Sequence, residues 1–453
     1  MKAILVWIGG SIMDPLILSR ILTAETLGFH IIWATIGVGV PIFIFLAEGW
    51  GIYKKDPHYI LMARRWTRGF VITVAVGVVT GTSIGLMLSL LWPRFMQLAG
   101  NVISLPLFLE TFAFFFEAIF LGIYLYTWDR FKPIIHWLTC IPIIVGSSLS
   151  AVFITTVNAF MNTPAGFTLK NGNTLTNLRP LEAMMNPATP TKVAHVLSSA
   201  YVTAAFLLGG IAAYAIMRGR TEAYYKKAVK LTMIGGLILS LATAIAGDLS
   251  GKFLAEYQPE KLAAAEWHFE TQKRAPLIVG GYLDENNQVR GAIKIPLALS
   301  ILAKGDPNAE ITGLNDVPKE LWPPLYVHYL FDGMVGIGFY LIFISGLFLA
   351  LWIWKRGNPW HPWVMAGIVL AAPLSFVAIE LGWIYAEVGR QPWMIRGIMK
   401  VSEGVTTSEQ VGLLLTLFTM LYVALAVIAT SVLIRMFRKN HPEKELEERR
   451  IIL

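Results

Sequence analysis

Long apolar runs alternate with short polar, mostly basic intervals along almost the whole chain. Nine runs reach the roughly 20 residues needed to cross a hydrocarbon core. They lie near 27–52, 68–92, 104–127, 134–157, 193–216, 230–250, 326–354, 362–388 and 409–435. The pattern predicts an all-α integral membrane protein with nine transmembrane helices.

The polar intervals set its direction. Lys54, Lys55, Arg64, Arg65 and Arg68 fall between the first two runs, Arg130 and Lys132 after the third, and Arg218, Arg220, Lys226, Lys227 and Lys230 after the fifth. Lys355 and Arg356 follow the seventh run, and Arg435, Arg438 and Lys439 the ninth. The alternate loops are poorer in Lys and Arg, which predicts an N-terminus outside and a C-terminus inside. Within the second run, Gly77-x-x-x-Gly81-x-x-x-Gly85 reads as a small-residue ridge for close helix packing. No solenoid-type repeat is evident.

Three segments follow from this. Residues 1–250 hold the first six helices, 251–325 form a polar outer loop, and 326–453 hold the last three. The loop carries ten acidic and eight basic residues, and loops of that length are usually functional or disordered. Its first part, 255–270, has helical character with amphipathic spacing and is expected to lie on the membrane surface.

Composition agrees. Of 453 residues, 55% are hydrophobic and only 15% charged, with mean hydropathy +0.60, against about 25% charged in soluble domains. The net charge of +8 follows membrane orientation and does not point to nucleic acid. Cys140 is the single cysteine, which excludes an internal disulfide and any iron–sulfur or dicopper thiolate site made by this chain alone. No cleavable signal peptide or lipidation motif is expected.

Ionisable groups at membrane depth are costly and mark functional paths or bound cofactors. Trp383 and Glu387, four apart, share a helical stripe at the end of the eighth run. His30 opens the first run, His195 opens the fifth, and Met334 lies about two turns into the seventh. With the predicted topology these four ligand-type residues, His30, His195, Met334 and Glu387, converge on the outer leaflet. His328 is a spare near the outer surface. His58, His136, His361 and His441 fall in inner loops or ends, and His268 in the outer loop. A His with a Met is the low-spin style of haem ligation, whereas a lone His or a carboxylate leaves one iron face open. Glu110 and Glu117, seven apart on the third run, are spaced about 10 Å along one face. They form a staircase suited to protons moving outward from the interior.

These residues resemble the quinol-oxidising subunit I of the cytochrome bd terminal oxidases. The resemblance covers nearly the whole chain. It rests on Ser19-Arg20 with His30, on Glu110, Glu117 and Trp128-Asp129-Arg130, and on Asn186-Pro187 with Lys192-Val193-Ala194-His195. It continues through Gly247-Asp248-Leu249-Ser250-Gly251, Lys261-Leu262-Ala263-Ala264 with Glu266, and the specific Gly389-Arg390-Gln391-Pro392-Trp393 after Trp383 and Glu387.

The resemblance implies two haems b, one low-spin and one high-spin, and a haem d or a further high-spin haem b. His195 and Met334 match the low-spin axial pair, and His30 and Glu387 match ligands of the high-spin haems, in either order. Glu110 matches an acid beside these, Trp383 an aromatic between haems, and Arg390 and Trp393 residues at the haem edges. Lys261 and Glu266 match quinol-oxidation residues in a loop of the short form. Asp332 departs from the pattern, since many members carry Arg there. The resemblance further implies oxidation of a membrane quinol, reduction of O2 to water, charge separation without a pump, a second multi-helix subunit, sometimes a small single-span subunit, and residence in a bacterial cytoplasmic membrane. The rival within this chemistry is a haem electron-relay subunit that does not reduce oxygen. A bc-type cytochrome b would need paired histidines about 13–14 apart on two helices, and a haem–copper oxidase more intramembrane histidines. A secondary transporter would need inverted repeats, which the chain does not display.

Overall fold

The computed structural model describes residues 14–171, 174–354, 357–439 and 441–449. Lys355 and Arg356, and the first residues on which the leader expectation rests, lie outside the described residues. The helices are α1 (Pro15–Lys54), α2 (Pro57–Leu91), α3 (Pro93–Tyr126), α4 (Pro133–Leu138), α5 (Cys140–Asn162), α6 (Pro180–Met184), α7 (Thr189–Met217) and α8 (Ala223–Tyr257). They continue with α9 (Pro259–Ala265), α10 (Ala298–Lys304), α11 (Val327–Trp354), α12 (Pro362–Val388), α13 (Val401–Gly404), α14 (Val411–Lys439) and α15 (Pro442–Arg449). Nine stretches among the described residues are long and apolar enough to span a bilayer, with α4 and α5 acting as one.

Proline opens most of these helices because position N1 needs no N–H partner. Asp14 and Asp56 sit at the preceding caps and accept from the backbone N–H of Leu16 and His58, at 2.9 and 3.1 Å. The spans exceed their apolar runs. At 40 residues, α1 is roughly 60 Å long, twice a hydrocarbon core. It begins at Pro15, so His30, at the start of the apolar run, sits four turns inside the helix.

Small residues set the closest crossings. A Cβ on Gly39 of α1 would lie 2.4 Å from the Ala200 carbonyl oxygen and 2.6 Å from the Ala204 Cβ of α7. Gly210 of α7 meets Ala372 of α12 in the same way, at 2.7 Å. The Gly77–Gly81–Gly85 ridge does not behave as expected. Nothing lies within 4 Å of a Cβ on Gly77 or Gly85, and Gly81 faces the ring of His30 at 3.2 Å. The spacing places the three glycines on one face, but among the described residues only the middle one meets a side chain of a neighbouring helix, His30 of α1.

The segment 258–326 docks on the end of the bundle opposite the basic loops. It consists of short antiparallel pairs, Leu277–Val279 with Ile293–Ile295, Tyr282–Leu283 with Val289–Arg290 and Gln272–Lys273 with Glu310–Ile311, together with α9 and α10. The expectation of a surface helix over 255–270 is overturned. α8 runs on to Tyr257, and α9 is buried from Lys261 through Ala265. The three consecutive alanines, 263–265, let α9 enter the protein beside Leu314, Val327 and Tyr385, so it has no face for lipid. At the basic end, Glu445 of α15 pairs with Arg65 at 2.8 Å and Arg68 at 2.5 Å and ties the C-terminal helix to α2.

Gly39→Ala forces two backbones apart and should destabilise the protein by about 1–3 kcal/mol, the usual cost of overpacking. Gly77→Ala meets nothing and should be neutral or gain up to about 1 kcal/mol of helix propensity. Thermal denaturation of both variants in detergent checks the contrast.

Candidate functional site

The α4–α5 limb orders the acids along one axis. Gly146 packs against the backbone of Glu117, with a Cβ there only 2.8 Å from the Glu117 nitrogen. One turn on, the Ser150 hydroxyl donates to Glu110 at 2.9 Å. Two turns further, Asn158 donates its amide to Glu387. Glu117, Glu110 and Glu387 therefore follow one another over roughly 18 Å of helix, although they come from α3 and α12. Glu117 is buried and Glu110 half-buried.

Glu387 is the anion of a cationic nest. One oxygen accepts from Asn158 and the other from the Arg390 guanidinium, which also donates to the Met394 carbonyl. The Asn158 carbonyl oxygen accepts from Lys192 at 2.6 Å. Lys261 donates to the Ala386 carbonyl at 2.9 Å. Burial pushes the Lys261 amine down to about 7, against Glu387, which favours its charge, and with Arg390, which opposes it. Three basic side chains around one carboxylate leave room for anionic groups such as the propionates of a tetrapyrrole. Carboxylate oxygens have spare lone pairs, so Glu387 keeps acceptor capacity beyond its two bonds.

The histidines fit ligation for identifiable reasons. The Thr80 hydroxyl spends its hydrogen on the Val76 carbonyl at 2.9 Å, so it accepts from Nδ1 of His30, also at 2.9 Å. That fixes the tautomer and leaves Nε2 of His30 with a lone pair. The His195 ring faces the backbone carbonyl of Thr243, an acceptor for a ring N–H, while its Nδ1 is buried without a hydrogen-bond partner. Its ring lies 3.5 Å from where a Cβ of Gly247 would be. Met334 lies on α11 against α12, and a Cβ on Gly382 would come within 2.6 Å of its sulfur. Buried polar atoms without partners are rare, and the His195 nitrogen is the kind a haem iron would satisfy. These residues fit the implied group.

Trp383 shares the α12 face with Glu387 and with Glu380, which the sequence reading did not single out. Glu380 lies 3.4 Å from a Cβ position on Gly28 of α1, and one of its oxygens is buried without a partner. Trp393 begins the short strand Trp393–Ile395, with its N–H donating to the Arg390 carbonyl at 3.0 Å and Lys400 over its ring at 5.9 Å.

Lys261 and Glu266 are buried at the docked segment, and Glu266 is pushed up to about 8 by burial and then by Asp332. The spare ligand His328 stands at the start of α11, against the docked segment. It is fully buried and stacks on Trp267 at 3.9 Å. Its nitrogens face the carbonyls of Ala265 at 2.6 Å and Gly280 at 3.2 Å, which leaves neither free for a metal. Asp332, where the family resemblance breaks, holds this contact together. It lies 3.2 Å from the His328 ring and accepts from the Gly280 N–H at 2.6 Å. His136, at the end of its span on α4, is likewise buried, with Glu48 at 2.6 Å. Asn158, Thr80 and Ser150 were also missed, and Lys192, quoted only within the motif before His195, was given no role. Lys192, a lysine three residues before His195 at a helix start, carried the only one-dimensional signal among them.

Comparison with known proteins gives the same picture. The family model for cytochrome bd terminal oxidase subunit I matches residues 18–441. A Bacillus subtilis (strain 168) protein described, provisionally, as cytochrome bd menaquinol oxidase subunit I is 42% identical over 96% of this chain and 99% of its own length. The cytochrome bd ubiquinol oxidase subunit 1 of the same organism is 31% identical over 94% of each chain. The solved structure of bd oxidase from Geobacillus thermodenitrificans superposes with a TM-score of 0.90 at 61% identity, covering 94% of this chain and 99% of that one. A multi-pass helical protein of this length, with those matches across it, belongs to the cytochrome bd terminal oxidase subunit I family, a family of haem-bearing oxidoreductases.

Proposed function

We propose that the chain is the subunit of a terminal oxidase that takes electrons from a membrane quinol and passes them to O2, making water. The α5 axis carries the reading, because it sets Glu117, Glu110 and Glu387 in sequence between the basic end and the docked segment. With the N-terminus outside and the C-terminus inside a bacterial cytoplasmic membrane, that axis draws protons from inside toward the ligand layer. Quinol protons leave outside at the 258–326 segment. Charge then separates across the membrane without a pump.

His195 and Met334 would hold a low-spin haem b. His30 and Glu387 would hold the high-spin haem b and the haem d or further haem b, with Arg390, Trp383 and Trp393 around their edges. Bound haem supplies the one-electron carriers and the oxygen chemistry. The chain supplies ligation, a cationic setting for propionates, and proton access. Lys261 and Glu266 take the quinol protons. A second multi-helix subunit, with or without a small single-span one, completes the complex. The relay alternative uses the same ligands without oxygen reduction.

Three outcomes test the reading. Gly382→Ala drives a methyl group toward the Met334 sulfur and should remove the low-spin spectral signature while other haem bands persist; an unchanged spectrum would separate Met334 from ligation. The purified complex should consume oxygen with a quinol donor, whereas quinol oxidation that needs another acceptor would support the relay. Only the ionised form of Glu266 accepts a proton, so its contribution appears as pH rises through about 8. The quinol-oxidation rate of the parent should climb there, and that of Glu266→Gln should stay flat.

A further inference from the structure

The α4–α5 axis does not end at Glu117. Toward the basic end it reaches a buried cluster that the proposed reaction does not yet use. Nδ1 of His136 lies 2.6 Å from one oxygen of Glu48, and the Tyr124 hydroxyl donates to the other at 2.5 Å. Nε2 of His136 lies 2.9 Å from the Tyr124 carbonyl. Glu48, Tyr124 and His136 are each at most 2% exposed. They come from α1, α3 and α4, so three helices converge on one carboxylate.

The hydrogen-bond arithmetic makes this a proton store. A carbonyl only accepts, so Nε2 carries a hydrogen. Nδ1 and Glu48 then share one further proton, held as imidazole with carboxylic acid or as imidazolium with carboxylate. The other groups facing the pair are the Cys140 thiol, which donates toward the Pro41 carbonyl at 3.7 Å, and Thr67 beside Tyr124. Toward the basic end, Trp128 covers the His136 ring at 4.0 Å, and the Arg64 guanidinium lies over that indole at 4.6 Å and pairs with exposed Asp129 at 2.8 Å. One indole therefore separates the store from charged surface groups.

On the other side, Tyr124 is seven residues from Glu117, as Glu117 is from Glu110. The three share a face of α3 at intervals of about 10 Å. A narrow slot lined by Pro41, Thr67, Leu121, Tyr124, Cys140 and Ile143 among others adjoins Tyr124 on the way. Its walls are apolar and it is too narrow for a resting water, so passage is intermittent.

We propose that Glu48, His136 and Tyr124 form a proton-loading site that feeds Glu117 and Glu110, an assignment that rests on the oxidase reading. One proton enters at His136 and Glu48. Glu48 then carries it on the oxygen facing Tyr124, the phenol oxygen accepts that bond, and the phenol's own hydrogen turns into the slot. One proton leaves for each one taken up, and no redox change occurs at the site.

The test uses the complete complex in vesicles, with oxygen consumption and proton uptake from the basic-loop side recorded together. Glu48→Gln should keep its haem content and its rate of haem reduction by quinol. Its oxygen consumption should fall about tenfold to a hundredfold, within the range for losing a proton-transfer group. Its solvent deuterium isotope effect should rise, and Glu48→Asp should restore part of the rate. Tyr124→Phe, which keeps the ring, should slow proton uptake in the same sense, and it decides the matter if Glu48→Gln fails to assemble. Normal uptake and an unchanged isotope effect in assembled Glu48→Gln, or in Tyr124→Phe, would overturn the loading site and show that the cluster only ties α4 to α1. A parent complex that consumes no oxygen would instead overturn the oxidase reading, and this assignment with it.

Discussion

A charge inside a membrane-spanning bundle must be matched by a partner or by a proton, and the architecture turns on how this chain matches Glu387. The carboxylate closes α12, but its partners come from α5 through Asn158 and from the turn after α12 through Arg390. Lys192 of α7 joins through Asn158, and Lys261 of α9 through the adjacent carbonyl of Ala386. Four helices and a turn are thus registered on one group. The docked segment is part of the same arrangement, because α9 must be buried for Lys261 to reach α12. This is why three alanines stand where a surface helix would carry a lipid face.

The spans were legible because a bilayer imposes a minimum apolar length, and the run 362–388 coincides with α12. The polar ends were not legible in the same way. The first 12 residues of α1, Pro15–Thr26, carry Ser19, Arg20 and Glu25, which a hydropathy reading excludes from a membrane core although they continue the helix. The extra turns put His30 four turns from the start of its helix, and the contact with Glu48 that draws His136, at the end of its span, into the core has no one-dimensional signal.

Ligand-type residues were visible as costly exceptions in apolar runs. What a one-dimensional reading does not contain is which helix answers which exception. Ser150 and Asn158 look like ordinary polar residues of a span until α5 sets them opposite Glu110 and Glu387. Thr80 gains meaning only from the ring of His30 beside it. The glycine ridge of α2 is the converse case, because spacing indicates a face but not what packs on it. Asp332 was visible as a departure, and its consequence, a hold on His328 and Gly280, needed the tertiary contact.

The central claim is that this chain presents an open haem iron to oxygen at one end of a proton path. The most direct measurement is the reduced-minus-oxidised optical spectrum of the purified complex, repeated with carbon monoxide. The account predicts a high-spin band, in the red for a chlorin or of b type otherwise, that shifts when carbon monoxide binds. Bands that all stay unmoved by carbon monoxide would contradict it and leave a closed electron relay.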